Sequence, residues 1–430
     1  MPISSFIETI RKHSLVRNFF ALSLWQITNY LMPLITIPYL IRVIGTEKFG
    51  VVSFIQALQY FFIIIVDYGF SVTAIKKIGL AKKDTEELSR IFNLTLFTKF
   101  VLGGLSFFIL SILIITIPKF NNEMTACFLG FSIVIGQMLF PMWFYQGMEE
   151  MKFITYFNLI AKTIFTLSIF ALIRKESDYV FVLAVQGLGV IITSFVSLYF
   201  IVKRFNIRVR FSGWLDISKE LKFGLPVLIS NFSVTAYSSS NYLILGFFGD
   251  DRMVGIYSIV EKIVSLVRQI LAMFSQAVFP SVCSLANESL LKLRRFWKNL
   301  MIPFAIFISI ILTVIYIYSG LIIKIVAGQY SVETQELLKI MIWVPLLVLF
   351  NIPFYQTMLA FNMNTSVMKV LVTCSVFSIA LSTILTQRYM AFGTTISLLV
   401  TEFMITLLLM YELERKKFFL FLKEPKDGAL

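Results

Sequence analysis

Apolar residues recur in long runs along the whole chain, separated by short polar connections, and the runs have the length a helix needs to cross a hydrocarbon core. The pattern predicts about twelve spans, at residues 19–41, 51–75, 91–117, 124–147, 155–173, 179–202, 223–247, 254–280, 299–322, 337–361, 367–386 and 391–412. The fold class expected is therefore all-α, a polytopic membrane protein. Within one run the polar residues are ordered. Between Gly255 and Pro280, Ser258, Glu261, Ser265, Arg268 and Ser275 fall on one helical face, and Lys262, Gln269 and Gln276 widen it. At 1.5 Å per residue that face is roughly 26 Å long, close to the thickness of a bilayer core. Ionisable groups at such depth cost about 3 kcal/mol each or more unless they meet a partner or a wet cavity. The helix is expected to line a pathway.

Composition supports lipid as the solvent: of 430 residues, 58% are hydrophobic and only 14% charged, a balance that no water-soluble class shows. The net charge of +14 is read as a topology signal. Placing the N-terminus in the cytosol puts about 25 of the Lys and Arg residues in cytosolic segments, about 8 outside and about 5 within spans. The richest segments are Lys76 to Arg90, Lys203 to Lys222, Lys292 to Lys298 and the tail from Arg415. Both termini are then cytosolic, and the cations also attract an anionic inner leaflet. Nucleic-acid binding is a poor alternative, because the cations are dispersed among short loops.

Several absences narrow the chemistry. The first eighteen residues are polar and the first apolar run is long enough to span, so no cleavable signal peptide is expected. Cys127, Cys283 and Cys374 are scattered in or near spans and suggest neither a disulfide framework nor a metal site. His13, the single histidine, lies in a basic amphipathic segment and is read as interfacial. No phosphate-binding loop, nucleophile elbow or zinc-protease helix occurs, and no cofactor is implied. The longest connection leaves no room for an extramembrane catalytic domain. The expected activity is transport, not catalysis.

Pairing the spans six apart exposes an internal repeat. Phe140 to Met148 (FPMWFYQGM) and Asn351 to Met358 (NIPFYQTM) share Phe-Tyr-Gln-x-Met after a proline. Tyr39 to Phe54 also matches Tyr242 to Ile259, aligning Gly45 with Gly249 and Gln56 with Glu261. Six spans per repeat gives two lobes, 1–212 and 213–430, entering the membrane in the same sense and related by a pseudo-two-fold axis along its normal. Such repeats usually place substrate between lobes. Span seven is rich in hydroxyl and amide groups, among them Asn231, Ser238 and Asn241, which suit either a cavity wall or helix-to-helix bonding. In span two, Ser53, Gln56, Tyr60, Asp67 and Ser71 form a comparable stripe.

The intramembrane charges are Asp67, Lys99, Lys162, Glu261, Lys262, Arg268 and Glu402. Asp67 and Lys99 should sit at similar depth on consecutive helices, so an ion pair is expected, serving either packing or coupling. Lys162, Arg268 and Lys262 are the candidate anion contacts. At an effective dielectric near 20, a cation 4 Å from a phosphate oxygen contributes about 4 kcal/mol, so two or three would hold a diphosphate without a metal. Asp67, Lys99, Glu261 and Glu402 are candidates for charge relay or coupling. Pro33 and Pro38 are expected to break the first span, Pro226 the seventh, and Pro345 with Pro353 the tenth. Trp143, Trp214 and Trp297 are expected at the interface as anchors.

Read in order, PYLIRVIGTEKFG (Pro38 to Gly50), DYGF (Asp67 to Phe70), WFYQGMEEM (Trp143 to Met151), GLPVLISN (Gly224 to Asn231), NYLILGFFGDDRMVGIYSIVEK (Asn241 to Lys262) and SQAVFP (Ser275 to Pro280) resemble bacterial polysaccharide repeat-unit flippases. These are the Wzx-type O-antigen transporters of the multidrug/oligosaccharidyl-lipid/polysaccharide exporter superfamily. The resemblance implies two six-helix bundles around a central cavity in an inner membrane. It implies a substrate as well: an undecaprenyl-diphosphate-linked oligosaccharide, moved from the cytosolic to the periplasmic leaflet by alternating access, with a glycan polymerase and a chain-length regulator as partners. Glu261 and Lys262 match the family's Glu-Lys pair and Asp67 its Asp-Tyr-Gly. A cation-coupled multidrug antiporter of the same superfamily is the alternative, and a membrane glycan polymerase a more distant one.

Overall fold

A computed structural model of the protein describes residues 14–211 and 213–416, with side chains described from Met32 onward except at 34, 226, 230, 234, 237 and 238. His13 and the basic tail past Lys416 lie outside the described residues. The described chain is helical throughout, and nine of its helical stretches are long and apolar enough to cross a membrane. Two stretches far exceed one crossing. Helix α1, Ser14–Asp67, contains a non-helical residue at Gly45 (φ 76°), and the last helix, Asn364–Arg415, contains one at Met390 (φ 48°). At Met390 the chain doubles back: Thr386 and Thr394 bond through their hydroxyls at 2.8 Å, and Ser397 Oγ reaches the Ser378 carbonyl at 3.4 Å. Asn364–Arg415 is thus a tight antiparallel hairpin of two helices.

The chain divides into two compact units, Met1–Thr235 and Ala236–Leu430. The first holds α1, α2 (Phe70–Ala81), α3 (Thr85–Thr116), α4 (Pro118–Asn122), α5 (Met124–Leu139), α6 (Met142–Gly147), α7 (Met151–Leu172) and α8 (Tyr179–Arg204). Helix α9, Trp214–Phe248, is shared across the boundary. The second unit continues with α10 (Asp251–Glu288), α11 (Leu290–Ile317), α12 (Ser319–Ala327), α13 (Val332–Met341), α14 (Val344–Ala360) and the hairpin α15 (Asn364–Arg415).

Close helix packing in the first unit depends on small residues. A Cβ on Gly187 of α8 would meet Ser132 of α5 at 2.0 Å, and one on Gly136 would meet Val190 at 2.9 Å. Ser194 Oγ uses that proximity to bond the Gly136 carbonyl at 3.1 Å. With lipid as apolar as the side chains, such close approach and interhelical bonding replace hydrophobic driving force.

Proline does not decide where the helices break as expected. Helix α1 runs through Pro33 and Pro38, and its interruption falls at Gly45, which takes a positive φ that costs a glycine little. Span ten parts at Ile342 and Trp343, with Pro345 seated in the first turn of α14, where its missing N–H is harmless. The tryptophans also separate. Trp214 is 65% exposed as an anchor should be, but Trp143 and Trp297 are fully buried, Trp297 donating to Thr357 at 3.2 Å. Their indoles serve helix packing inside the protein.

Asp67-Tyr68-Gly69 forms the joint between α1 and α2. Tyr68 and Gly69 both have positive φ (47° and 85°), and a Cβ on Gly69 would meet Val227 of α9 at 2.6 Å. Gly69→Ala is expected to cost ~1–3 kcal/mol through backbone strain and overlap together. Gly104→Ala, at an exposed helical site with open space around it, should stabilise by ~0.5–1 kcal/mol. Thermal unfolding midpoints of the two variants in one detergent check the contrast.

Candidate functional site

The polar face of α10 was expected to look onto a hydrated path, and its residues divide into two kinds. At its ends the side chains serve packing. Ser258 is fully buried, and Ser275 receives the side-chain amide of Gln356 from α14, which also donates to the Ser275 carbonyl at 3.2 Å. In the middle the face is charged and still partly accessible. Glu261 and Arg268, two turns apart and therefore on the same side of the helix, form an ion pair whose side chains keep 17% and 24% exposure. The second carboxylate oxygen of Glu261 accepts the Tyr242 hydroxyl at 2.8 Å. The Tyr257 ring stands edge-on to Tyr242, with centroids 5.2 Å apart.

Next to Tyr242 in sequence, Asn241 is 1% exposed and accepts the Ser382 hydroxyl from α15 at 2.9 Å. Its side chain also interacts with the Tyr257 hydroxyl, which ties that ring into the same site. The end of α9, the middle of α10 and the first leg of α15 thus assemble one polar site in the second unit, containing Tyr242, Glu261, Arg268, Asn241 and Ser382. Sequence periodicity found Glu261 and Arg268. It missed Tyr242 as a site residue, although the repeat match passes through it, because a tyrosine in a membrane helix gives no sign of the carboxylate it caps.

The other candidates are distributed. Lys262, half-buried, follows Glu261 on α10, its carbonyl accepting the Ser265 hydroxyl at 2.8 Å. Glu402, 5% exposed, accepts the Asn351 amide from α14 at 2.9 Å. In the first unit, Lys162 of α7 and Asn231 of α9 are half-buried. The side chain of Ser238 lies outside the described residues. Ser233, on the hydroxyl-rich helix, bonds back to the Ile229 carbonyl at 2.9 Å and so serves its own helix.

The expected Asp67–Lys99 ion pair does not form among the described residues. Asp67 accepts the Ser71 hydroxyl at 3.0 Å, and Lys99, 3% exposed, donates to the carbonyl of Gln137 at 3.2 Å. The reason lies four residues past Gln137. The helical partner of that carbonyl would be the N–H of residue 141, which is proline and has none, so Lys99 satisfies an acceptor that α5 leaves open. In the span-two stripe, Gln56 likewise bonds Gln186 of α8 at 2.9 Å, and Ser53 is buried. That stripe is in part a helix contact.

A family profile described as polysaccharide biosynthesis protein matches residues 15–285. Two curated proteins described as "Putative O-antigen transporter" are similar over nearly the whole chain. The one from Escherichia coli (strain K12) is 26% identical, covering 94% of this chain and 98% of its own; that from Shigella dysenteriae is 26% identical, covering 92% and 98%. Among solved structures, an inward-facing multidrug resistance MATE family transporter of the MOP superfamily aligns with TM-score 0.70 at 14% identity, over 90% of this chain and 98% of that one. The lipid II flippase MurJ in its inward closed conformation aligns with TM-score 0.69 at 13% identity, over 92% and 89%. The fold is that of these polytopic all-α transporters.

Within the site, Arg268→Gln leaves the Glu261 carboxylate without its cation, whereas Glu261→Gln with Arg268→Gln removes both charges. The double variant is expected to be more stable than the single variant Arg268→Gln, and the cycle built from Glu261→Gln and Arg268→Gln should give a coupling between the two positions of ~1–3 kcal/mol. Unfolding midpoints of the single and double variants in a full cycle measure it. Additive effects would mean that the pair is not energetically coupled.

Proposed function

The chain belongs to the polysaccharide biosynthesis protein family, and from that premise we propose that it is a flippase for lipid-linked oligosaccharide. Its substrate is an O-antigen or similar repeat unit on undecaprenyl diphosphate, moved from the cytosolic to the periplasmic leaflet of a bacterial inner membrane by alternating access. Both termini lie in the cytosol. The similarity to the O-antigen transporters of Escherichia coli and Shigella dysenteriae supports this reading. So does the helical transporter fold.

The observation that carries the proposal is the half-open Glu261–Arg268 pair at the middle of a membrane helix. A charged pair with remaining accessible surface is costly against hydrocarbon, and the cost falls if that surface meets water or a polar ligand. The task itself is energetically severe: each unpartnered hydroxyl brought into an apolar medium costs about 4–8 kcal/mol, so a glycan faces a barrier of tens of kcal/mol. A hydrated path lined with hydrogen-bonding groups removes most of that barrier, while the polyprenyl tail stays in lipid.

In this mechanism Arg268 is neutralised by Glu261 at rest. An incoming diphosphate competes for the guanidinium, with Lys262 beside it, and Lys162 of the first unit is assigned as a further anion contact. Displacement frees the Glu261 carboxylate, which keeps the Tyr242 hydroxyl as one stabilising donor and becomes available to a proton or cation. The amide and hydroxyl groups of Asn241, Asn231 and Ser238 are assigned to sugar. Asp67, Lys99 and Glu402 are assigned to coupling, with Lys99 acting through its hold on the broken end of α5. The polymerase and chain-length regulator are the expected partners that receive the exported unit.

Arg268→Ala in a strain lacking the native gene should abolish surface glycan at normal protein abundance, with lipid-linked units accumulating on the cytosolic leaflet. Proteoliposomes carrying a defined undecaprenyl-diphosphate glycan should lose leaflet transfer in the same variant. Unchanged surface glycan would remove Arg268 from the mechanism, and accumulation on the periplasmic leaflet would point to a polymerisation defect in place of flipping.

A further inference from the structure

In the first unit, between the start of α3 and the connection from α8 to α9, lies a cleft of about 490 Å³. The connection is pinned by side chains of α3: the Asn93 side-chain amide donates to the Arg208 carbonyl at 2.7 Å and the Arg208 N–H donates to Ser89 Oγ at 3.1 Å, while within α3 the same amide donates to the Ser89 carbonyl at 2.8 Å. Pinned in this way, the connection brings two cations to the cleft. Arg208 and Arg210 are exposed along it, and neither is in an ion pair among the described residues. Arg90, also at the cleft, is already held by a two-point contact with Glu87 at 2.7 Å. Glu86 of α3 and Asp216 of α9 also line the cleft, Asp216 within electrostatic reach of Arg90. One further acceptor is present. Asn93 is 3% exposed, lines the cleft, and has its amide oxygen buried with no donor.

A simple anion site would have no use for two carboxylates and an orphaned amide oxygen. The arrangement calls for a ligand with a phosphate at one end and an N–H donor cation at the other: guanidinium groups recognise the phosphate, and the carboxylates with Asn93 Oδ1 recognise the ammonium. The surroundings indicate where such a ligand comes from. Phe211 lines the cleft at 63% exposure and stacks edge-on with Phe97, with centroids 5.2 Å apart. Trp214, 65% exposed, follows it, as amphipathic rings do at a membrane–water boundary. We propose that this cleft binds the headgroup of a phosphoethanolamine lipid, its phosphate on Arg208 and Arg210 and its primary ammonium on Asn93, Asp216 and Glu86. The site is separate from the transport pathway proposed above and does not rest on it.

Choline carries the same charges as ethanolamine but no N–H, so the two lipids separate donor recognition from electrostatics. Native mass spectrometry of the purified chain, exchanged in turn with phosphatidylethanolamine, phosphatidylcholine and phosphatidylglycerol, should show retained ethanolamine lipid favoured over choline lipid by about tenfold, the loss expected when a charge-assisted hydrogen bond is removed. Arg208→Gln with Arg210→Gln, at exposed positions, should erase the retention, and Asn93→Leu should erase the preference for ethanolamine. The lipid comparison on the unaltered chain stands even if Asn93→Leu fails to fold. Equal retention of choline lipid, retention of phosphatidylglycerol at the level of ethanolamine lipid, or an unchanged profile in the double variant would overturn the proposal. Displacement of the bound lipid by soluble glycerophosphoethanolamine at equal concentration would overturn the assignment to a lipid.

Discussion

Inside a bilayer no solvent is available to satisfy a polar group, and that constraint accounts for most of what this structure does with its polar residues. Lys99 is the clearest case. A proline ends α5 and leaves the Gln137 carbonyl without its helical donor, and a buried lysine on the neighbouring helix supplies one. Thr98, Thr193, Thr395 and Thr401 bond back to carbonyls of their own helices for the same reason. Glu402 takes the Asn351 amide, and Tyr145 shares a hydrogen bond of 2.8 Å with Ser197. A buried polar residue here is usually a debt settled locally. The groups of functional interest are those whose account stays partly open: Glu261 and Arg268, which retain accessible surface.

This distinction explains which features were legible in the sequence. Helical periodicity located the charged face of α10 because a seven-residue separation returns to the same side of a helix whatever surrounds it, and the Glu261–Arg268 pair follows from that alone. The runs of apolar residues marked a polytopic all-α membrane protein for the same reason, since length is set by the bilayer; nine stretches among the described residues are long and apolar enough to cross, against about twelve expected. Tertiary partners were not legible. Asp67 and Lys99 have matching depth and opposite sign, yet the broken helix end at Pro141 competes for the lysine. Trp143 and Trp297 have interfacial chemistry and interfacial sequence position, but helices packed around them bury both. Proline was a poor guide to kinks because neighbouring groups in a helical bundle can accommodate a missing N–H, whereas the positive φ at Gly45 requires a residue that tolerates it.

In the proposed mechanism Arg268 is a phosphate-binding cation kept within the membrane by its pairing with Glu261. Held by Glu261, it presents no net charge while the pathway is empty; released, it offers a planar two-pronged donor to a diphosphate. The Tyr242 hydroxyl limits the cost of that exchange, because the carboxylate left behind keeps one hydrogen bond. The proposed mechanism therefore needs no resident metal to hold the anion, and its selectivity for a charged headgroup arises from competition between two anions for one guanidinium.

The hairpin Asn364–Arg415 has a consequence for biogenesis. Its two legs meet around Met390 with almost no intervening chain, and Thr386 bonds directly to Thr394. No stretch there is long enough for the first leg to leave the insertion machinery and wait in lipid while the second is synthesised. The two legs then behave as one hairpin, so the orientation adopted by either leg fixes that of the other.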